Sequence, residues 1–204
     1  VQLDTSHLLA LAAALGWASG LRLYLVVFLT GLAGRLGWVP LPAGLQMLQG
    51  NAVLVAAGLM LVMEFLADKV PLVDSAWDAL HTLIRIPAGA ALAAAALGAD
   101  AGSWQLAAAL MGGTLAATSH VAKASTRAAA NTSPEPFSNI ALSLAGDALV
   151  PGALWLSWAH PLLFLVLLAP VLLLMLVAIA LLWRFVRRLF ARLRGPSARS
   201  AAGA

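Results

Sequence analysis

The sequence predicts an all-α polytopic membrane protein with about six transmembrane or re-entrant helices. Three observations predict this class. Of the 204 residues, 62% are hydrophobic and only 10% are charged, against about 25% charged in a typical soluble domain. Several apolar runs approach the roughly 20 residues that cross a bilayer. Basic residues concentrate directly after the last of these runs. Such a chain cannot cover itself with polar side chains, so its outer surface is expected to contact lipid.

Six hydrophobic segments follow one another along the chain. The sixth is the most purely apolar, so we expect it to contact the most lipid. Segments two, three and five are short, charged or interrupted by proline, as in half-helices or re-entrant hairpins that line a cavity. Residues 1–190 are predicted to form one transmembrane domain, and 191–204 a basic, disordered cytoplasmic tail. The segments cover about 8–34, 51–67, 79–97, 103–129, 137–158 and 161–190.

The net charge of +4 comes from the end of the chain, because the rest holds six basic and eight acidic residues. By the positive-inside rule this pattern places the C-terminus in the cytoplasm, for a multi-pass protein of a bacterial inner membrane. Six spans would then put both termini in the cytoplasm. A position beside the membrane explains the basic charge, so nucleic-acid binding is not expected. The six basic residues at the end are Arg184, Arg187, Arg188, Arg192, Arg194 and Arg199.

Small residues are dense in segments one and four, including Gly16, Gly20 and Gly112. Small faces let helix backbones approach closely in lipid, where hydrophobic burial cannot drive packing. We interpret these faces as packing surfaces inside the bundle. A homo-oligomer through the same faces is the alternative.

A weak internal repeat relates two parts of the chain. Asp68 and Asp147 follow similar Leu-Ala sequences, and each is followed by a histidine thirteen residues later. Halves at 8–97 and 103–190 would hold three segments each, so a true repeat would be inverted, as in many secondary transporters. The alternative is chance similarity between Leu- and Ala-rich sequences.

Four carboxylates surround a predicted helix break after segment two. Glu64 and Asp68 lie four residues apart and share a helix face. Pro71 is expected to end that helix. Asp74 and Asp78 repeat the spacing on the next helix, where Asp74 could cap the helix N-terminus.

Other polar residues fall on two further helix faces and at two isolated positions. Each set repeats at intervals of three or four residues, so its members share one face. The sets are His120, Lys123 and Arg127 on segment four, Asn139, Ser143 and Asp147 on segment five, and the separate residues Arg22 and Arg85.

The charges that we expect inside the bundle sum to zero, with five acidic residues and five basic ones: Glu64, Asp68, Asp74, Asp78 and Asp147 against Arg22, Lys69, Arg85, Lys123 and Arg127. A lone charge at the bilayer centre costs about 2.5–3.5 kcal/mol on insertion scales, so we expect mutual pairing inside the bundle. Intramembrane charges of this kind are candidates for function. The alternative is a structural ion-pair network, with Lys69 and Arg127 as simple interfacial anchors.

Metal and cofactor chemistry has little support in the sequence. Asp68, Asp74 and Asp78 could hold a hard cation such as Mg²⁺ through oxygen ligands, although their spacing matches no strict motif. The histidines at 81, 120 and 160 lie on separate segments, so a zinc site is not expected. The chain has no cysteine, Walker-type phosphate loop or Gly-x-Ser-x-Gly elbow, which leaves an enzymatic function less favoured.

The run from Glu64 to Asp78, EFLADKVPLVDSAWD, followed by His81-Thr82 and Arg85-Ile-Pro-Ala-Gly89, resembles the signature of a bacterial integral membrane family, domain-of-unknown-function family 4126. The resemblance extends to Ser19-Gly-Leu-Arg22 and to the polar faces of segments four and five. It covers most of the chain, from about residue 8 to 182. The family usually has Arg-Pro where this chain has Arg85-Ile86-Pro87. The resemblance implies a polytopic inner-membrane protein and supplies no activity.

The sequence therefore favours a small transporter or channel for protons, cations or a small charged solute. The carboxylates would bind or relay cations, while Arg85 and Lys123 would neutralise them in the empty state. One alternative is binding, flipping or enzymatic processing of a phosphorylated lipid, with Arg22, Lys123 and other cations on the phosphate. Another is a structural membrane subunit whose charges hold helices together.

Overall fold

The described part of the chain folds into six α-helices and one 3₁₀ helix. The computed structural model describes residues 3–70, 72–98, 102–131 and 137–193, with side chains described as far as 188. The predicted break at Pro71 and the predicted tail from 194 onward lie outside the described residues. The predicted boundaries are confirmed within a few residues, except that the third helix begins six residues earlier than expected. The elements are α1 (Thr5–Arg35), the 3₁₀ helix (Ala43–Gln49), α2 (Asn51–Ala67), α3 (Val73–Leu97), α4 (Ser103–Ala130), α5 (Phe137–Ala159) and α6 (Pro161–Leu193).

Length and apolarity identify the helices that can cross a membrane. Among the described residues, α1, α3, α5 and α6 qualify, and the 3₁₀ helix and α2, bent by 70° at Gly50, qualify together as a fifth. The predicted number was about six. The difference is α4, which has 28 residues but carries many small and polar side chains. Several of these, including Gly112, Ser119 and His120, are buried, so they need not be apolar.

Burial places α1 at the centre of the bundle and α6 at its periphery. In the most apolar stretch of α1, 83% of residues are buried, against 11% for α6. The prediction that the sixth segment contacts the most lipid is therefore consistent with its exposure. α1 packs against all the other helices, so its conformation controls what lies in the interior.

α1 is folded back on itself at Arg22. The backbone of Arg22 is non-helical, with φ −147° and ψ 77°. His7 and Ala33, from opposite ends of α1, line the same cavity of about 490 Å³. In a straight helix these residues would lie about 39 Å apart. We therefore describe α1 as a re-entrant hairpin with two arms, 5–21 and 23–35, and a tip at Arg22.

The hairpin corrects the prediction of where irregular backbone lies. Segments two, three and five were the expected half-helices or re-entrant segments, yet α3 and α5 continue through Pro87 and Pro151. Neighbouring groups can satisfy the carbonyls that an intramembrane proline frees. Segment two partly agrees with the prediction, because of its bend at Gly50. The re-entrant element itself is segment one, which contains no proline.

Small residues bring the first arm of α1 into close contact with α3 and α4. A Cβ atom on Gly16 would lie 2.5 Å from Gly112 Cα, and one on Gly112 would lie 2.6 Å from Gly89 O. Only glycine allows three backbones to approach so closely. The small faces of segments one and four are thus used within the chain, and a homo-oligomer would need a different surface.

The open end of the hairpin and the basic end of α6 lie at opposite ends of the bundle. Trp158 and Ala159, just before α6 begins, line the same cavity as His7. Farther along α6, Ala178 lines a cavity with Arg22 at the tip, and the exposed Arg184, Arg187 and Arg188 follow. The expectation that both ends of the chain lie on one side rested on an even number of spans. Because the hairpin folds back on itself, segment one does not count as a single span, and the number of spans is no longer the expected six.

Asp4 caps α1 at its open end. The backbone N–H of His7 donates to Asp4 Oδ1 at 2.9 Å and holds the pKa of that carboxyl well below its usual range. This is the ordinary N-cap interaction, in which a carboxylate accepts from a free N–H of the first helical turn.

Candidate functional site

The ten charged residues that were expected to lie inside the bundle meet in one ion-pair network around the hairpin tip. Each acidic side chain lies within 4.0 Å of at least one basic side chain, and every pair shares a member with another pair. The expected mutual pairing is therefore present. We use the term ion-pair network for this set: Arg22, Glu64, Asp68, Lys69, Asp74, Asp78, Arg85, Lys123, Arg127 and Asp147.

Asp68 has three basic partners in the network, as many as Asp78. Asp68 follows α2 as its C-cap and is fully buried. Its Oδ2 pairs with Arg22 Nη1, with Lys123 Nζ at 3.2 Å and with Arg127 Nη2 at 3.0 Å. Its backbone carbonyl also accepts from Arg127 Nη1 at 3.1 Å. One carboxylate therefore balances three cations from α1 and α4.

Arg22 connects the hairpin tip to α5. Its Nη2 lies 2.8 Å from Asp147 Oδ1 and also contacts Ser143, with Oγ at 2.9 Å and the backbone carbonyl at 3.1 Å. The planar guanidinium can serve Asp68 and Asp147 together because its donors point in several fixed directions. The predicted face of segment five thus points at the tip.

Side chains of α4 donate hydrogen bonds to backbone carbonyls near the hairpin tip. Lys123 Nζ donates to Leu21 O at 3.0 Å, and Ser119 Oγ donates to Trp17 O at 2.6 Å. A broken helix leaves carbonyls without helical partners, and buried carbonyls need a donor. These contacts satisfy the irregular backbone at membrane depth and hold the hairpin against α4.

Arg85 joins two carboxylates and a histidine at the α3 side of the network. Its Nη2 lies 2.6 Å from Glu64 Oε1 and its Nη1 lies 2.6 Å from Asp78 Oδ1. Nη1 also lies 3.3 Å from His120 Nδ1. Since arginine only donates, His120 Nδ1 must accept, and its Nε2–H then donates to Thr82 Oγ1 at 2.7 Å. His120 is therefore held as the neutral Nε2–H tautomer.

A second histidine next to the network was not among the predicted site residues. His81 Nδ1 lies 2.8 Å from Trp77 O, and its Nε2 lies 3.1 Å from the hydroxyl of Tyr24. The carbonyl can only accept, so Nδ1 carries a proton and a neutral ring accepts from Tyr24. Trp77 also stacks on the ring at 4.2 Å. The sequence signal was the position of His81 on the buried face of segment three, one turn from Asp78 and Arg85.

Asp74 is held by α4 and is not the N-cap residue of α3, although its Oδ1 accepts from the Ser75 backbone N–H in the first turn at 2.6 Å. The N-cap of α3 is Leu72, with no side-chain hydrogen bond. Asp74 instead pairs with Arg127 at 3.5 Å and accepts from Asn131 Nδ2 at 3.1 Å. Asn131, which the sequence did not indicate, also accepts from Asn139. This link connects Asn139 to the network, so all eleven predicted site residues belong to one connected set.

Lys69 and Arg127 are not the simple interfacial anchors suggested by the sequence. The Arg127 side chain is 2% exposed and pairs with Asp68, Asp74 and Asp78. Lys69 is 26% exposed and lies 4.0 Å from Asp147 and over the ring of Phe65. The side chains of the network are therefore fully buried around Asp68 and partly exposed at its Lys69–Asp147 edge.

Several buried polar atoms of the network have no hydrogen-bond partner among the described residues. They include Glu64 Oε2, Asp78 Oδ2, Arg85 Nε and Arg127 Nε. Buried ion pairs repay their desolvation only when geometry is good and remaining polar atoms are satisfied. Replacing a buried ion pair by apolar side chains is often neutral or stabilising, so the network is weak evidence for a role in stability.

The geometry does not assemble a metal site from Asp68, Asp74 and Asp78. Among the described residues, no group of three or more His, Asp or Glu side chains is placed to hold a metal ion. The three carboxylates point their oxygens at Arg and Lys side chains instead. The suggested Mg²⁺ site is therefore unsupported by the arrangement.

A family comparison covers both the hairpin and the network. A model described as "Domain of unknown function (DUF4126)" matches residues 9–184. The chain belongs to the DUF4126 family. The family resemblance predicted from the Glu64 to Asp78 run is thereby confirmed. No curated protein and no solved structure matches the chain, and the family model supplies no activity for this DUF4126 member.

Proposed function

We propose that this chain is a small inner-membrane transporter or channel that moves protons, cations or a small charged solute through the ion-pair network. The observation that supports this most is the meeting of two backbone irregularities, the α1 tip at Arg22 and the α2 end at Asp68, inside a buried charged cluster. Discontinuous helices that carry charges at membrane depth are typical of transporter binding sites.

The pairing pattern supports exchange of partners. Asp68 lies within 3.2 Å of Lys123 and within 3.0 Å of Arg127, and Lys123 lies equally close to Asp78. Each of these groups has an alternative partner, so losing one contact does not strand a charge. A proton or cation that neutralises one carboxylate would release a basic side chain to another carboxylate. Such rearrangement at low cost is what a transport cycle requires.

The exposed edge of the network is the proposed entry point. Asp147 is 22% exposed and holds Arg22 at 2.8 Å, so it connects the accessible edge with the hairpin tip. Arg184, Arg187 and Arg188 lie beyond this end of the bundle, which supports a cytoplasmic location for it.

The test is flux into proteoliposomes loaded with pH- or ion-sensitive dyes. The wild-type chain should raise flux of protons or of one small ion above that of empty vesicles. Asp68→Asn and Asp147→Asn should abolish it, because each removes a charge that the cycle needs. Arg35→Gln, a charge change at an exposed position outside the network, should leave it unchanged. Wild-type flux in both folded Asp variants would contradict the proposal, as would wild-type vesicles no more permeable than empty ones.

A second measurement separates transport from a purely structural role. Flux and the folded fraction are measured for the same Asp147→Asn protein. The transport proposal expects a folded protein, monodisperse in detergent, with flux lost. If the charges only hold helices together, any flux should fall only in proportion to the folded fraction. Flux that follows the folded fraction would favour the structural role.

A further inference from the structure

A cavity opens between the hairpin tip and the last three helices. Its volume is about 320 Å³, within the range of about 300–1,000 Å³ typical of ligand sites. Leu142, Leu149, Val171 and Leu174 form apolar walls from α5 and α6. Leu149 is 54% exposed and Leu174 is 68% exposed, so the cavity opens sideways on the outer surface of the bundle. In a membrane that opening faces lipid.

The charged groups of this cavity are all of one sign. Of the residues that the structure describes, Arg22, Lys123 and Arg127 line it, and no Asp or Glu does. Their shared partner Asp68 is fully buried, and Asp147, the second partner of Arg22, is likewise outside the lining. Arg127 Nε is buried and has no hydrogen-bond partner within the described part of the chain. The cavity therefore combines a basic inner end with apolar walls.

Further positive charge lies beside the opening. Arg184, Arg187 and Arg188 follow Ala178, a lining residue of α6, and are exposed. The first of them is about 9 Å farther along the helix. Basic groups at a membrane surface attract anionic lipids by about 1 kcal/mol each, so such lipids would be concentrated near the opening.

We propose that this cavity binds an anionic lipid from the bilayer, with its headgroup against Arg22, Lys123 and Arg127 and an acyl chain between α5 and α6. The lateral opening and apolar walls favour a lipid over a free anion, and the basic inner end favours an anionic over a zwitterionic headgroup. This site shares Arg22, Lys123 and Arg127 with the ion-pair network, but lipid binding is measured without transport, so either proposal can fail without the other.

Gly146 offers a way to block the cavity without altering a charge. It lines the cavity, and a Cβ atom there would have Arg22 Nε as its nearest neighbour at 3.6 Å. A leucine side chain at 146 would therefore fill the space next to the guanidinium. A Cβ atom on Gly152, six residues farther along α5, would have no neighbour within 4 Å, and Gly152 lines none of the described cavities. Gly152→Leu is thus the matched control.

The test is a native mass spectrometry titration of the full chain in neutral detergent. Dioleoyl phosphatidylglycerol should bind at least tenfold more tightly than dioleoyl phosphatidylcholine, and inorganic phosphate should not bind in the same range. Gly146→Leu should weaken phosphatidylglycerol binding about tenfold, and Gly152→Leu should not. If Gly146→Leu fails to fold, Leu174→Trp at the exposed opening should give the same loss.

Three results would overturn this lipid site. Equal binding of the two lipids would remove the role of the basic inner end. Phosphate binding as tight as that of phosphatidylglycerol would indicate a site for a free anion. Undiminished phosphatidylglycerol binding in the folded cavity variants would show that lipid binds elsewhere.

Discussion

Arg22 and Asp68 form an ion pair between the two points where the buried backbone is irregular. Arg22 is the non-helical residue at the tip of the α1 hairpin, and Asp68 ends α2. Both side chains are at most 1% exposed. The pair therefore fixes the hairpin tip against the break between α2 and α3, and the remaining charges of the ion-pair network gather around it.

Replacing Arg22 tests how much the hairpin depends on this pair. Arg22→Met removes the basic partner shared by Asp68 and Asp147 and should cost about 3–5 kcal/mol of unfolding free energy, as for other broken buried pairs. Arg35→Met, at the exposed end of the same helix, should change it by about 0.5 kcal/mol or less. The measurement is unfolding by SDS titration from mild detergent micelles. Equal stability of the two variants would indicate that Arg22 does not hold the tip.

Two lysines of the network should differ in their contribution to stability. Lys123 is 9% exposed and bridges Asp68 and Asp78, so Lys123→Gln should cost about 3 kcal/mol or more. Lys69 is 26% exposed and lies 4.0 Å from Asp147, so Lys69→Gln should cost about 1 kcal/mol or less. The same titration compares them. If Lys69→Gln lost more unfolding free energy than Lys123→Gln, the inference that Lys123 lies in the buried part of the network and Lys69 at its exposed edge would be contradicted.

The close contact of α1 with α4 can be tested at Gly16. Gly16→Val would place methyl groups where a Cβ already lies 2.5 Å from Gly112 Cα, and overpacking of this kind typically costs about 1–3 kcal/mol. Gly152→Val lies in open space on α5 and should leave stability unchanged or raise it by about 0.5 kcal/mol or less, because valine has a higher helix propensity than glycine. Thermal melting in detergent measures both. If Gly16→Val melted at the wild-type temperature, the first arm of α1 and α4 would be less closely packed than the structure shows.

The sequence predicted most helix boundaries and the pairing of the buried charges, for identifiable reasons. Apolar runs end where polar loops begin, and intervals of three or four residues reveal shared helix faces. Charge balance predicted that the buried residues would pair. Each of these signals depends on neighbouring residues or on a sum over the chain, so it can be read from a single sequence.

The hairpin could not be predicted in the same way. The residues around Arg22 form one continuous apolar run without proline, and nothing local requires a break. The conformation depends on contacts with distant residues: Asp68 and Asp147 hold the guanidinium, while Ser119 and Lys123 take up carbonyls of the first arm. The available hint was a lone arginine in the middle of an otherwise apolar segment, which needs a buried partner.

The central claim is that α1 is a re-entrant hairpin whose tip carries the buried charges. The chain contains no cysteine, so Thr5→Cys and Leu36→Cys provide two clean spin-label sites at exposed positions. Pulsed electron paramagnetic resonance in proteoliposomes measures the distance between them. The hairpin predicts a separation well under half of the length of a straight helix, which is about 46 Å for this interval. A distance near 46 Å would contradict the hairpin, and with it the placement of Arg22 inside the network.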